Sequence, residues 1–133
     1  MRIEIDQSGK VGDTHVSTVL ALSNTASYSI LLSPTVNREC IKYLRARYRK
    51  LRQPYLKLFA AALFVLLKDH LRKFGLIIID KEYTGHEAAI KGMLVVFIRA
   101  KYPNFATEQI MFGHIGKRSR AHEKAYATFR AKS

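Results

Sequence analysis

The chain has little cysteine, little proline, no tryptophan and few acids: one Cys, three Pro and ten Asp plus Glu in 133 residues. The single thiol, Cys40, excludes an internal disulfide, and the opening MRIEIDQSGK has no apolar core of the signal-peptide kind, so a cytoplasmic protein is expected. Long apolar runs are also missing. The longest, residues 58–67 (LFAAALFVLL), is half of the roughly 20 residues that span a bilayer, which argues against a membrane partner and predicts a buried helix instead. What the chain has in excess is positive charge. Lys plus Arg number 23, giving a formal charge of +13, and such self-repulsion makes a polyanion, nucleic acid first of all, the expected partner. A composition 48% apolar and 11% aromatic excludes a disordered basic arm, and the length fits one domain over 1–133. In so basic a chain each carboxylate is informative.

Alternation in residues 1–7 (MRIEIDQ) puts Ile3 and Ile5 on one side and Arg2, Glu4 and Asp6 on the other, the pattern of a strand that ends at an acid before a Ser8-Gly9 turn. Residues 15–23 and 28–32 are β-branched or apolar and predict two more strands in a meander. Ser33-Pro34 opens a helix over 34–52, with Val36, Cys40, Leu44, Tyr48 and Leu51 recurring at helical spacing. Pro54 interrupts it, and a second helix follows over 55–73, stopped at Gly75. Residues 76–79 (LIII) read as a strand covered on both faces, again ending at an acid, Asp80. A helix over 86–101, capped by Thr84 or Gly85, a weaker strand at 108–112 and a terminal helix at 120–131 complete the chain.

This order describes an α/β fold with a mixed five-stranded sheet: three antiparallel strands, then helix-linked parallel ones, with helices on the faces. If the first strand lies beside 76–79, Asp6 and Asp80 meet at the carboxyl ends of central strands, where such sheets keep their ligands. Two carboxylates that close repel unless a cation lies between them, so a divalent metal is expected.

The order of elements and the positions of these acids resemble the ribonuclease H-like superfamily, which includes ribonuclease H, integrases, transposases and RuvC-type Holliday-junction resolvases. IEIDQSGK is similar to the family's first strand, LIIIDKEY to its fourth, and GKRSRAHEKAYATF to the segment entering the last helix of the RuvC-type members, the closest in motif style. In that last segment His122 stands where the family most often has an acid, with Glu123 beside it. The resemblance implies phosphodiester hydrolysis with two Mg²⁺ or Mn²⁺ ions: Asp6, Asp80, His122 and Glu123 as catalytic residues, the first three as metal ligands, and Glu39 and Glu82 as supporting acids. An imidazole among the ligands makes Mn²⁺ easier to accommodate than Mg²⁺. Resolvases of this kind often work as two-fold dimers, so a homodimer is a further implication.

Other motifs carry less. The run 113–119 looks like a phosphate-binding loop, but Met111 stands at the required glycine and Arg118 at the hydroxyl position. His86-Glu87 lacks the second histidine of a zinc-protease helix, His15, His70, His86 and His114 show no ligand spacing, and Cys40 reads as a packed thiol. The basic residues are grouped. Arg38, Lys42, Arg45, Arg49 and Arg52 give the first helix a face of one sign with Glu39 as its only acid, and Lys117, Arg118, Arg120 and Lys124 surround His122. Folding alone favours mixed signs on a helix face, so both groups are expected to contact phosphates. Tyr43, Tyr48 and Tyr55 interleave with the first group and are candidates for stacking on unpaired bases.

The leading expectation is a metal-dependent nuclease acting on structured or duplex nucleic acid. A non-catalytic nucleic-acid-binding module on the same fold is the alternative, since basic charge serves binding without the acids. A third reading, a protein-interaction subunit, requires an exposed apolar patch, for which 58–67 is the candidate.

Overall fold

The computed structural model describes residues 2–8, 17–23, 27–49, 53–71, 75–81 and 83–113. Five strands form one mixed sheet in the order β3-β2-β1-β4-β5. Strands β1 (Arg2–Ser8), β2 (Thr18–Ser23) and β3 (Ser27–Leu32) make the antiparallel meander, and β4 (Leu76–Asp80) and β5 (Ile110–Gly113) join it in parallel, β4 against β1. The first strand is therefore central and lies beside β4, the placement on which the meeting of Asp6 and Asp80 was conditional.

Three helices interleave: α1 (Pro34–Arg47), α2 (Pro54–Leu67) and α3 (Glu87–Lys101). Ser33 caps α1 as expected, its Oγ accepting the Val36 N–H at 3.2 Å, with Pro34 in the first turn. Helix α1 stops at Tyr48, which leaves helical geometry at φ −125° and ψ 75°. Helix α2 ends at Leu67, short of the expected 73. The apolar run is exhausted there, and the Tyr102 hydroxyl donates to the Lys68 carbonyl at 3.1 Å, satisfying one of the oxygens that a longer helix would have bonded. Before α3, Gly85 takes φ +87°, a conformation that costs a residue without Cβ little, and the cap position falls on His86 rather than on Thr84 or Gly85. A 3₁₀ turn, Thr107–Gln109, occupies the first positions of the expected fifth strand.

The main core lies on one face of the sheet, and a smaller buried cluster, Val19 and Ala21 with Leu31, lies on the other. Ile3, Ile5, Leu20, Leu22, Ile77, Ile79 and Ile110 pack with Ile41 of α1, the apolar side of α2 and Ile90, Leu94, Val95 and Ile98 of α3. Residues 58–67 are mostly buried within it, Val65 alone being exposed, so the patch required for a protein-interaction subunit is not formed there. The inward side of α1 differs from expectation. Asn37 and Ile41 are its buried residues, while Val36 and Tyr48 are exposed. Asn37 is turned in because its Nδ2 donates to Thr18 Oγ1 at 3.1 Å, tying the first turn of α1 to the start of β2. No helix among the described residues is long and apolar enough to cross a membrane. The expected terminal helix at 120–131 lies outside the described residues.

Candidate functional site

The parallel register of β1 and β4 aligns Ile3 with Ile77 and Ile5 with Ile79. One residue further along both strands, Asp6 stands beside Asp80. Adjacent strands are about 4.8 Å apart, and residues in register share a face, so the two carboxylates occupy neighbouring positions on one side of the sheet. That side is opposite the three described helices, because Ile5 and Ile79, one residue before each acid, point into the core that those helices cover. Asp6 is buried and Asp80 half-buried, and Asp6 Oδ1 accepts the Gln7 backbone N–H at 2.8 Å.

The flanking positions are small. In the cross-sheet row through the two acids, Asp6 is opposite Ala21 on β2 and Asp80 is opposite Gly113 on β5, so neither outer neighbour projects more than a methyl group. A Cβ added at Gly113 would come within 3.4 Å of Ile78 Cγ2, contact that is close but not excluded. The row is covered, not open: Asp6 is 3% exposed and Ala21 0%, and Val19 and Ala21 form a small buried cluster on this face. Oxygen donors of this kind suit hard divalent cations such as Mg²⁺ and Mn²⁺. Among the described residues no group of three His, Cys, Asp or Glu is assembled for a metal.

Of the remaining sequence candidates, His122, Glu123, Glu82, Arg52, Lys117, Arg118, Arg120 and Lys124 lie outside the described residues. Glu39 is on exposed α1, which packs on the helix-covered face, and is not brought to the carboxylate pair. Glu4 is on the acid face but is not gathered with Asp6 and Asp80 into a group that could hold a metal. It lies two positions before Asp6 on the same strand, so it shares the acid face about 6.6 Å further back along β1, half-buried and opposite Ile78. Period-two alternation already puts Glu4 on the side of Asp6.

Behind the pair, the sheet end is braced from the core side. Gln7, adjacent to Asp6 and pointing the other way, donates through Nε2 to the Tyr83 hydroxyl at 3.1 Å. Tyr83 follows Asp80 by three residues and packs its ring on Phe59 of α2 at 4.7 Å between centroids. The two acid-bearing strand ends are thereby tied together through buried side chains.

Helix α1 is tied to the same sheet end. Its first turn reaches Thr18, the neighbour of Val19, which pairs with Ser8 just beyond Asp6. At the start of α2, Gln53 Nε2 lies 3.5 Å from His86 Nε2, and Tyr55 packs against Tyr83 at 5.9 Å, His86 and Tyr83 both being in the segment after Asp80. Arg38, Lys42 and Arg45, at i, i+4 and i+7, form one exposed row about 10 Å long, continued by exposed Arg49 in the turn after the helix. Among the described residues Lys42, Arg45 and Arg49 have no ion-pair partner. Glu39 is rotated out of this row, onto the α2 side. No protein-family model, curated protein or solved structure matches the chain.

Proposed function

We propose that this protein is a metal-dependent nuclease of the ribonuclease H-like kind, hydrolysing phosphodiester bonds in structured or duplex nucleic acid. The observation that carries the reading is the juxtaposition of Asp6 and Asp80 on one sheet face, at the carboxyl ends of two central parallel strands. The strand order β3-β2-β1-β4-β5, with the acids on the first and fourth strands, supports the resemblance from which the mechanism follows.

Asp6 and Asp80 would hold the divalent ion, with His122 or Glu123 supplying further ligands from the last segment. Held there, a divalent ion would supply activation of water and charge stabilisation at the leaving oxygen of the phosphodiester. The protein's own residues do the rest: Gln7 and Tyr83 fix the strand ends, and the Arg38, Lys42, Arg45 row on α1 holds phosphates of the bound nucleic acid.

The test is cleavage of branched DNA, duplex DNA and RNA–DNA hybrid with Mg²⁺ and Mn²⁺, comparing wild type with Asp6→Asn. Cleavage of at least one substrate by wild type and its loss in the variant is the expected result. Equal cleavage by both proteins would sink the assignment. Binding without cleavage by wild type would establish the non-catalytic module instead.

A further inference from the structure

A groove of about 310 Å³ lies between the helices, away from the carboxylate face, at the lower end of the size range of small-ligand pockets. Its walls are Cys40, Tyr43 and Leu44 of α1, Leu58 and Ala61 of α2, and Phe97 of α3, an apolar lining edged by Glu39 and Lys57. Of the three tyrosines interleaved with the basic residues, two are engaged. Tyr55 packs on Tyr83 and its hydroxyl accepts from Gln53 Nε2 at 3.2 Å. Lys57 Nζ sits over the Tyr48 ring, 3.7 Å from its centroid. Tyr43 is different: 63% exposed, it presents its ring at the groove.

The charges around this ring select the occupant. Arg47 is one turn on from Tyr43 along α1, its guanidinium 6.0 Å from the Tyr48 ring centroid, and Lys57 lines the groove from α2, so one cation edges the exposed aromatic wall and a second lies one turn beyond it. A phosphate outside the groove meets these cations, whereas Glu39 on the wall opposes a phosphate inside it. What enters is then the uncharged, flat part of a nucleotide. We propose that the α1–α2 groove receives an unpaired base, stacked on Tyr43, with its backbone phosphates on Arg47 and Lys57. The inference rests on the nucleic-acid reading and deepens it. The preferred substrate is a duplex that carries unpaired nucleotides, not an uninterrupted one. The apolar lining offers no edge-reading groups, so the groove accepts any base.

The experiment is fluorescence anisotropy of the full chain in EDTA, with a blunt DNA duplex and the same duplex bearing a single-stranded tail. Tyr43→Ala should weaken binding of the tailed probe by roughly 5- to 150-fold, the range of one lost base–aromatic stack, and leave the blunt duplex within about twofold. Tyr43→Phe should restore tailed binding. Equal weakening of both probes, or unchanged binding of the tailed one, overturns the proposal; the second result would return the groove to an apolar side chain of a protein partner. Because no metal is present, failure of the nuclease reading is seen separately. A wild type that binds the tailed probe through Tyr43 but never cleaves leaves this inference standing, and one that binds neither probe overturns both.

Discussion

On β1 and β4 alternate residues face opposite sides of one sheet. Ile3, Ile5, Ile77 and Ile79 lie at 1% exposure or less in the helix-covered core, while Glu4, Asp6, Ile78 and Asp80 face away from the helices. Backbone, register and hydrogen bonding are common to both sets, so the contrast is entirely one of side chains. One face gains stability from apolar burial, at about 25 cal/mol per Å² removed from water. The other face gives up that gain at its centre, where two carboxylates stand side by side between Ala21 and Gly113. A protein that needed only stability would not put acids at adjacent central positions, where their mutual repulsion opposes folding. Substitutions one residue apart therefore separate the two roles.

The largest expected effect is on the acid face. Asp6→Asn keeps shape and removes charge, so cleavage should fall by roughly 10³-fold or more, while the midpoint of thermal unfolding holds or rises. A fall in the midpoint of several degrees would mean that Asp6 is structural and break the comparison. Ile79→Ala, adjacent to Asp80 but on the core face, should do the opposite. A loss of about 2–5 kcal/mol in denaturant unfolding is expected, with cleavage per folded molecule unchanged.

Much of this division was legible in the sequence. The alternation in MRIEIDQ and the run LIII ending at Asp80 define the two central strands, and their acids, because period two is a local signal that tertiary packing has no reason to overrule in a central strand. Helix α1 was harder to read. The spacing of Val36, Cys40, Leu44 and Tyr48 is helical, yet Asn37 is buried in place of Val36, since a polar residue can be turned inward when Thr18, nineteen residues back, offers a hydroxyl. Nothing local announces that bond. Helix α2 likewise ends at Leu67 through a carbonyl contact from Tyr102, thirty-four residues ahead of Lys68. The carboxylate pair itself needed one long-range fact, the parallel pairing of β1 with β4, which the order of elements implies but spacing alone does not.

A smaller effect is expected on the basic row. Lys42→Ala with Arg45→Ala removes two exposed cations from α1 and touches neither face of the sheet. Nucleic-acid affinity should fall at low salt, and the slope of log affinity against log salt should shrink by about 1.8 for duplex DNA if both contact phosphate. Unfolding should change by no more than about 0.5 kcal/mol. An unchanged salt slope would move the phosphate surface away from α1.

The smallest expected effect tests how the two faces communicate. Tyr83 lies on the core side, yet through Gln7 it holds the end of β1 beside the segment that follows Asp80. Tyr83→Phe keeps the ring on Phe59 and deletes the hydroxyl, leaving the buried Gln7 amide short of one partner, which should cost about 1–3 kcal/mol in unfolding. If that brace also fixes the acids, the variant should need more Mn²⁺ for half-maximal cleavage while its rate at saturating metal changes little. Gln7→Leu in the Tyr83→Phe background removes the orphaned amide and should recover part of the stability, but not the metal requirement. Recovery of both would mean that the hydroxyl acts only on folding, and that the acid face keeps its geometry from strand pairing alone.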